Sequence, residues 1–334
     1  MNFIIRSVAT ATILSCGLFT ASVRAAEKIT IIVGGINKLI YLPPKLAENL
    51  GYFKDEGLDV DLQSQPAGVD AENELLAGAA QAVVGYYDHT IDLQSKGKAV
   101  QSIVQFGLVP GGMEMVRADA ASQIGNMGDI KGKTIGVTGL GSSSSFLGQY
   151  LASVHGVKST DYSILPVGAG NSLFVALKQK RIDVAWTTEP TTSVLLTSGE
   201  AKVLVDMSTI EGTKAALGGL YPASSLYVQS DWLLSHKDTA TKLARAFVRT
   251  LQFIHTHTAQ EIADKMPRDY YGGNKPLYIQ ALNASLPMYS ADGKMPDGGP
   301  ENVLKIMAAF SPNIKGKHTD LSKTYTNEFV SKVK

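Results

Sequence analysis

The sequence is almost without cysteine: one, Cys16, in 334 residues. A single thiol cannot build a disulfide framework or a thiolate metal cluster, so a stapled mini-domain is excluded. An excess of one charge is also missing, with 31 Lys and Arg against 30 Asp and Glu. That balance exerts no general pull toward nucleic acid, and no Lys/Arg cluster interleaved with aromatics supplies a local one. No nucleic-acid partner is expected. Charged residues are scarce at 18% and hydrophobic ones make up 44%, which excludes a disordered tail. The length suits about two folding units, each burying its own core. Past residue 25 no stretch reaches the roughly 18 uncharged apolar residues of a membrane span, so the mature chain is expected not to cross a membrane.

The first 25 residues read as an address. Met1 to Arg6 carries a positive charge, and Ser7 to Val23 is uncharged and mostly apolar or small. Val23-Arg24-Ala25 then suits a signal-peptidase cut after Ala25. Ile13-Leu14-Ser15-Cys16 loosely resembles a lipobox. The apolar stretch before Cys16 is short, Leu14 is bulky for its place and more apolar residues follow, so lipid anchoring at Cys16 is not expected. Cleavage would remove Arg6, Arg24 and Cys16, leaving 29 basic against 30 acidic residues. The mature chain would hold no thiol to oxidise and no cysteine nucleophile. A periplasmic location follows as the expectation.

From residue 29 onward, short β-rich runs end in glycine or a polar turn and lead into helical patterns. The first series has runs at 29–33, 58–62, 82–84 and 101–106. A second runs through 113–117, 134–138, 163–167, 183–187 and 202–206, with 226–229 after it. This alternation predicts mostly parallel sheets covered by helices. Ligands of such sheets sit at the carboxyl ends of the strands. Beyond Asp231 the pattern is nearly all helical, and Leu243, Phe247, Leu251 and Ile254 share one face.

Catalytic and cofactor motifs fail one by one. Gly139-Leu140-Gly141 lies between a strand and a helix, but a third glycine is missing and no acid ends the next strand. No Walker A run is present, and no G-x-S-x-G surrounds Ser144. His255 and His257 are two apart and would diverge on a helix, so they cannot share a metal. No cofactor or metal is expected. Three clusters remain as candidates. Tyr86-Tyr87-Asp88-His89 directly follows a strand, where a ligand is read or where Asp88 would cap a helix. Ser142, Ser143 and Ser144 open a helix whose N-terminus favours an anion. Glu189 follows the strand at 183–187 and suits either a helix start or a ligand amine.

These residues sit in a chain that resembles the substrate-binding proteins of bacterial ABC importers, in the nitrate, sulfonate, taurine and thiamine-precursor group. The resemblance rests on the run from Leu46 through Gly51-Tyr52-Phe53-Lys54-Asp55-Glu56-Gly57-Leu58-Asp59-Val60. It rests also on Asp129-Ile130-Lys131-Gly132-Lys133-Thr134-Ile135-Gly136-Val137, on Arg181-Ile182-Asp183-Val184-Ala185 and on Glu189-Pro190. It implies a periplasmic-binding-protein type II fold: two α/β lobes joined by two crossover strands, with the ligand cleft between them. Lobe 1 would be 26–111 plus 226–334, and lobe 2 would be 112–225. Asn37, Tyr41, Gly68, Val69, Tyr87, Asp88 and His89 would face the cleft from lobe 1. Ser142–Ser144, Asn171, Glu189 and Tyr221 would face it from lobe 2 and the hinge. Ser145 stands where related serine loops often carry His, which weakens any transfer of sulfonate specificity.

The function so implied is capture by closure and delivery to an inner-membrane permease with its ATPase. A small organic ligand with an anionic group, taurine-like or an aromatic acid, fits the serine loop together with the acids at 88 and 189. A thiamine-type pyrimidine is the alternative ligand. A sensory binding protein docking to a membrane receptor would carry the same features. Pyrimidine-synthesising enzymes that share this fold carry a cysteine-rich motif, which the mature chain lacks, so no enzyme is expected.

Overall fold

The computed structural model describes residues 27–333; the expected signal segment and Cys16 lie outside the described residues. In the first series, β1 (Glu27–Val33), α1 (Leu42–Asn49), α2 (Tyr52–Asp55) and β2 (Leu58–Ser64) precede α3 (Gly68–Leu76), β3 (Ala82–Tyr86), α4 (Asp88–Ser95) and β4 (Val100–Gln105). The second series is β5 (Gly112–Arg117), β6 (Thr134–Val137), α5 (Ser143–Val154), β7 (Ser163–Pro166), α6 (Asn171–Lys178), β8 (Val184–Thr188), α7 (Thr191–Ser198), β9 (Ala201–Met207) and α8 (Ile210–Leu217). β10 (Ser224–Gln229) leads into the helical tail: α9 (Ser230–Ser235), α10 (Lys237–Thr256), α11 (Ala259–Lys265), α12 (Lys275–Ser285) and α13 (Gly299–Phe310).

The strands form two five-stranded sheets, β2-β1-β3-β10-β4 and β7-β6-β8-β5-β9. Each is covered by helices, so the molecule has two α/β lobes. Burial explains the order. Ile29, Ile31, Ile32 and Val33 are all buried, as suits an inner strand covered on both faces, whereas β2 exposes Asp59 and Asp61 at the edge. Pro43 and Pro44 occupy the first turn of α1, where a missing N–H costs no hydrogen bond.

The sheets are less parallel than the alternation predicts. β1 runs parallel to β2 and β3, and β6 to β7 and β8. β10, however, is antiparallel to β3 and β4, and β5 to β8 and β9. The reason is where these two strands enter. Ser224 of β10 pairs with Tyr86 at the carboxyl end of β3, and Gly112 of β5 with Thr188 at the carboxyl end of β8. Each strand arrives from the other sheet, at the end where the parallel strands finish, and runs back against them.

The tail supplies the cover of the first sheet and a tie to the second. Leu243, Phe247, Leu251 and Ile254 of α10 are all buried. The Phe247 ring meets Phe53 at 5.3 Å and Phe106 at 4.9 Å. Phe310, at the end of α13, lies 5.9 Å from Phe146 of α5. Among the described residues, no helix is long and apolar enough to cross a membrane.

Candidate functional site

The carboxyl ends of β1, β3, β6 and β8 converge on one pocket. Its enclosed free volume is only about 30 Å³, so the pocket is nearly closed. Tyr41, Gly68, Tyr86 and His89 line it from the first lobe; Thr138, Ser142–Ser144, Trp186 and Thr187 line it from the second. A wider outer cleft continues from it, where Asn37, Gln65, Gly168 and Asn171 stand. The loop after β1 is drawn in tightly: a Cβ on Gly34 would fall 2.9 Å from the Gly68 Cα, so only glycine permits this approach.

The serines at the head of α5 have separate partners. Ser144 Oγ accepts the Thr138 amide at 3.0 Å and meets the Thr138 hydroxyl at 2.9 Å. Ser143 Oγ donates to Asp88 Oδ1 at 2.7 Å. Ser145 turns along the helix to Gln149. Ser142 holds the N-cap position, yet its side chain caps nothing. Its hydroxyl is buried in the pocket wall with no protein partner. A buried polar group left unpaired costs free energy, and among the described residues nothing offsets that cost for this hydroxyl. The helix N-terminus behind it favours a negative charge.

Asp88 is not the helix cap that its position allows; Tyr87 occupies that place, and no side chain caps α4. Its carboxyl accepts from Tyr221 at 2.6 Å as well as from Ser143. Burial pushes its pKa up, while His89 and the two hydroxyls pull it back. The next residue is anchored to an acid. His89 Nδ1 lies 2.6 Å from Glu72 Oε2, both side chains being buried. Burial alone would lower its pKa; the hydrogen bond and charge of Glu72, with Asp88 and Asp92, outweigh that and raise it to about 9. The balance of these contacts favours the protonated ring. Lys38 adds a second cation, its ammonium donating to Gly34 O at 2.7 Å. Burial lowers its pKa to about 8, against the pull of Asp70.

The pocket unites six of the thirteen residues expected there: Tyr41, Gly68, His89 and Ser142–Ser144. Asn37 and Asn171 lie in the outer cleft. Asp88 and Tyr221 form the layer behind the serines. Val69 packs toward Gly139 and Gly141 beneath the serine loop. Tyr87 is turned away, hydrogen-bonded to Thr324 at 2.5 Å with its ring against Tyr325. Its neighbour Tyr86 lines the pocket instead, because adjacent residues at a strand end point to opposite sides. The Glu189 carboxylate accepts the Ser193 amide at 3.1 Å and so serves the start of α7. Its backbone carbonyl reaches across the cleft to the Leu39 amide at 2.9 Å.

Trp186 and Glu72 escape the sequence reading, though each leaves a trace. Trp186 is one of only two tryptophans and stands near the end of a strand. Gly68, Glu72 and Leu75 follow at spacings of four and three, so Glu72 puts an acid on the buried stripe of α3.

A family model described as NMT1/THI5 like matches residues 42–261. A solved structure from Bordetella bronchiseptica RB50 is 35% identical, covers 92% of this chain and 96% of its own, and aligns with a TM-score of 0.88. The alkanesulfonate-binding protein SsuA from Xanthomonas axonopodis pv. citri, solved with MOPS, is 15% identical. It covers 90% of this chain and 99% of its own at a TM-score of 0.69, a likeness of fold. A curated relative from Bacillus subtilis (strain 168), titled "Putative binding protein YtlA", is 22% identical over 247 residues, 73% of this chain and 71% of its own.

Proposed function

This chain belongs to the NMT1/THI5-like family, and we propose that it is the extracytoplasmic solute-binding component of an ABC importer. It captures a small organic ligand with an anionic group by lobe closure and delivers it to a membrane permease with its ATPase. The observation that carries this reading is the buried hydroxyl of Ser142 at the head of α5, unpartnered among the described residues, in the wall of a pocket also lined by Lys38 and His89. Hydroxyls, helix amides and two cations together favour a sulfonate or carboxylate head. Tyr41, Tyr86 and Trp186 supply the flat walls for the rest of the ligand.

The moving bodies are 26–111 with 226–334, and 112–225. Closure brings Ser143 onto Asp88 and Leu39 onto Glu189, and excludes water from the ligand. The ligand shifts the open–closed balance only by its preference for the closed form, and the permease reads that form. No bond is made or broken. A pyrimidine of the thiamine-precursor kind is the second reading, supported by the aromatic walls.

Thermal unfolding of residues 26–334 against taurine, alkanesulfonates, aromatic acids and pyrimidines tests both. A ligand at 100 times its Kd stabilises by about 2.7 kcal/mol, a rise in Tm of roughly 5 °C or more. A shift for anions supports the first reading and a shift for pyrimidines alone the second. No shift across the whole panel counts against both.

A further inference from the structure

The Glu72–His89 pair does more than pack α3 against α4. An imidazolium has two N–H donors. Nδ1 is committed to Glu72, and Nε2 has no partner among the described residues. Nε2 sits where a Cβ on Gly68 would come within 2.9 Å, and both residues line the pocket. Glycine at position 68 therefore keeps a side chain from crowding that nitrogen.

We propose that Glu72 fixes His89 as the charge-reading residue of the cleft, its Nε2–H taking an anionic oxygen of the ligand. The cleft thereby selects a full negative charge over a neutral group of the same shape. This inference rests on the binding reading above and adds Glu72 as a positioning residue. The physical reason is desolvation. A buried imidazole without a counter-charge sheds its proton, and then offers one N–H and no charge. The groups facing the ring are Glu72 from α3, Asp88 and Asp92 from α4 itself, the Tyr227 phenol from β10 and the uncharged Phe146 from α5. Only acids and aromatics surround it, so the proton is held until about pH 9.

The test uses two matched pairs, ethanesulfonate with ethanesulfonamide and benzoate with benzamide, titrated by calorimetry into wild type, His89→Gln and Glu72→Gln. In wild type the anion of at least one pair binds more tightly than its amide. His89→Gln weakens that anion roughly 10- to 100-fold, the worth of a charge-assisted hydrogen bond, and leaves the amide unchanged. Glu72→Gln binds the anion normally at pH 5.5 and weakly at pH 7.5, while wild type changes far less across that range, because Lys38, lowered to about 8, stays mostly protonated. A merely structural Glu72 would not produce this pH profile. If either variant is poorly folded, nitrogen-15 spectra of wild type decide: both ring nitrogens protonated at pH 7.5, with Nε2 moving on anion addition. An unchanged anion preference in folded His89→Gln, or a neutral ring in wild type, overturns the inference and leaves the binding reading intact. If no member of either pair binds wild type, the anion reading of the cleft fails and this inference with it.

Discussion

Ser143 Oγ donates to Asp88 Oδ1 at 2.7 Å, and this buried bond joins the first turn of α5 in one lobe to the first turn of α4 in the other. Tyr221 holds the second oxygen of the same carboxyl, from the segment that leads back into β10. The two lobes are therefore joined by a polar lock. Ser143→Ala leaves one carboxyl oxygen buried without its donor, at a cost of about 1–3 kcal/mol. The expected outcome is a larger radius of gyration by small-angle scattering and a lower urea midpoint. Identical scattering curves and midpoints for the two proteins would dismiss the lock.

Trp186 lines the pocket, whereas Trp232 stacks on His236 outside the pocket lining. The two tryptophans divide the intrinsic fluorescence between site and surroundings. Ligand binding is expected to change the emission of wild type and Trp232→Phe, and to leave Trp186→Phe silent. A ligand-induced change that survives in Trp186→Phe and vanishes in Trp232→Phe would place the ligand elsewhere.

Glu114 is fully buried on β5, and among the described residues neither carboxyl oxygen has a hydrogen-bond partner. Burial pushes its pKa up to about 8 from 4.5. Between those values the folded chain holds a proton that the unfolded chain has lost, so stability falls as pH rises through this window and levels off above it. The slope is at most about 1.4 kcal/mol per pH unit. His89 acts in the same direction between 6.5 and about 9, so the difference between wild type and Glu114→Gln isolates Glu114. Urea unfolding at pH 4, 6 and 8 should show the variant gaining on wild type at each step. Parallel curves would mean that Glu114 is paired or hydrated.

Gly68→Ala places a methyl group 2.9 Å from His89 Nε2, a nitrogen held in position by Glu72. The backbone at Gly68 is ordinary helix, but the methyl meets a buried, anchored ring, so the ring or the helix start must shift. Binding of the anion should weaken by about tenfold or more, a larger loss than the accompanying fall in fold stability read from Tm. Equal losses in both would show that the contact is structural.

The sequence by itself determined the elements and where to look among them. Alternation of β-rich and helical runs marks the strands because periods of 2 and 3.6 are local properties of the chain. Glycines and serines after strands mark the cleft loops because only small residues let backbone donors approach a ligand. The tertiary structure decided the rest. β5 and β10 run antiparallel because each enters from the other sheet, a matter of connection that no residue in the strand records. Asp88 finds Ser143 across 55 positions and Tyr221 across 133. Tyr86 rather than Tyr87 faces the pocket, and the Glu189 carboxylate turns to its own helix. The charge of His89 depends on a carboxylate 17 residues away, because a proton's affinity is set by distance and burial in space, not by order along the chain.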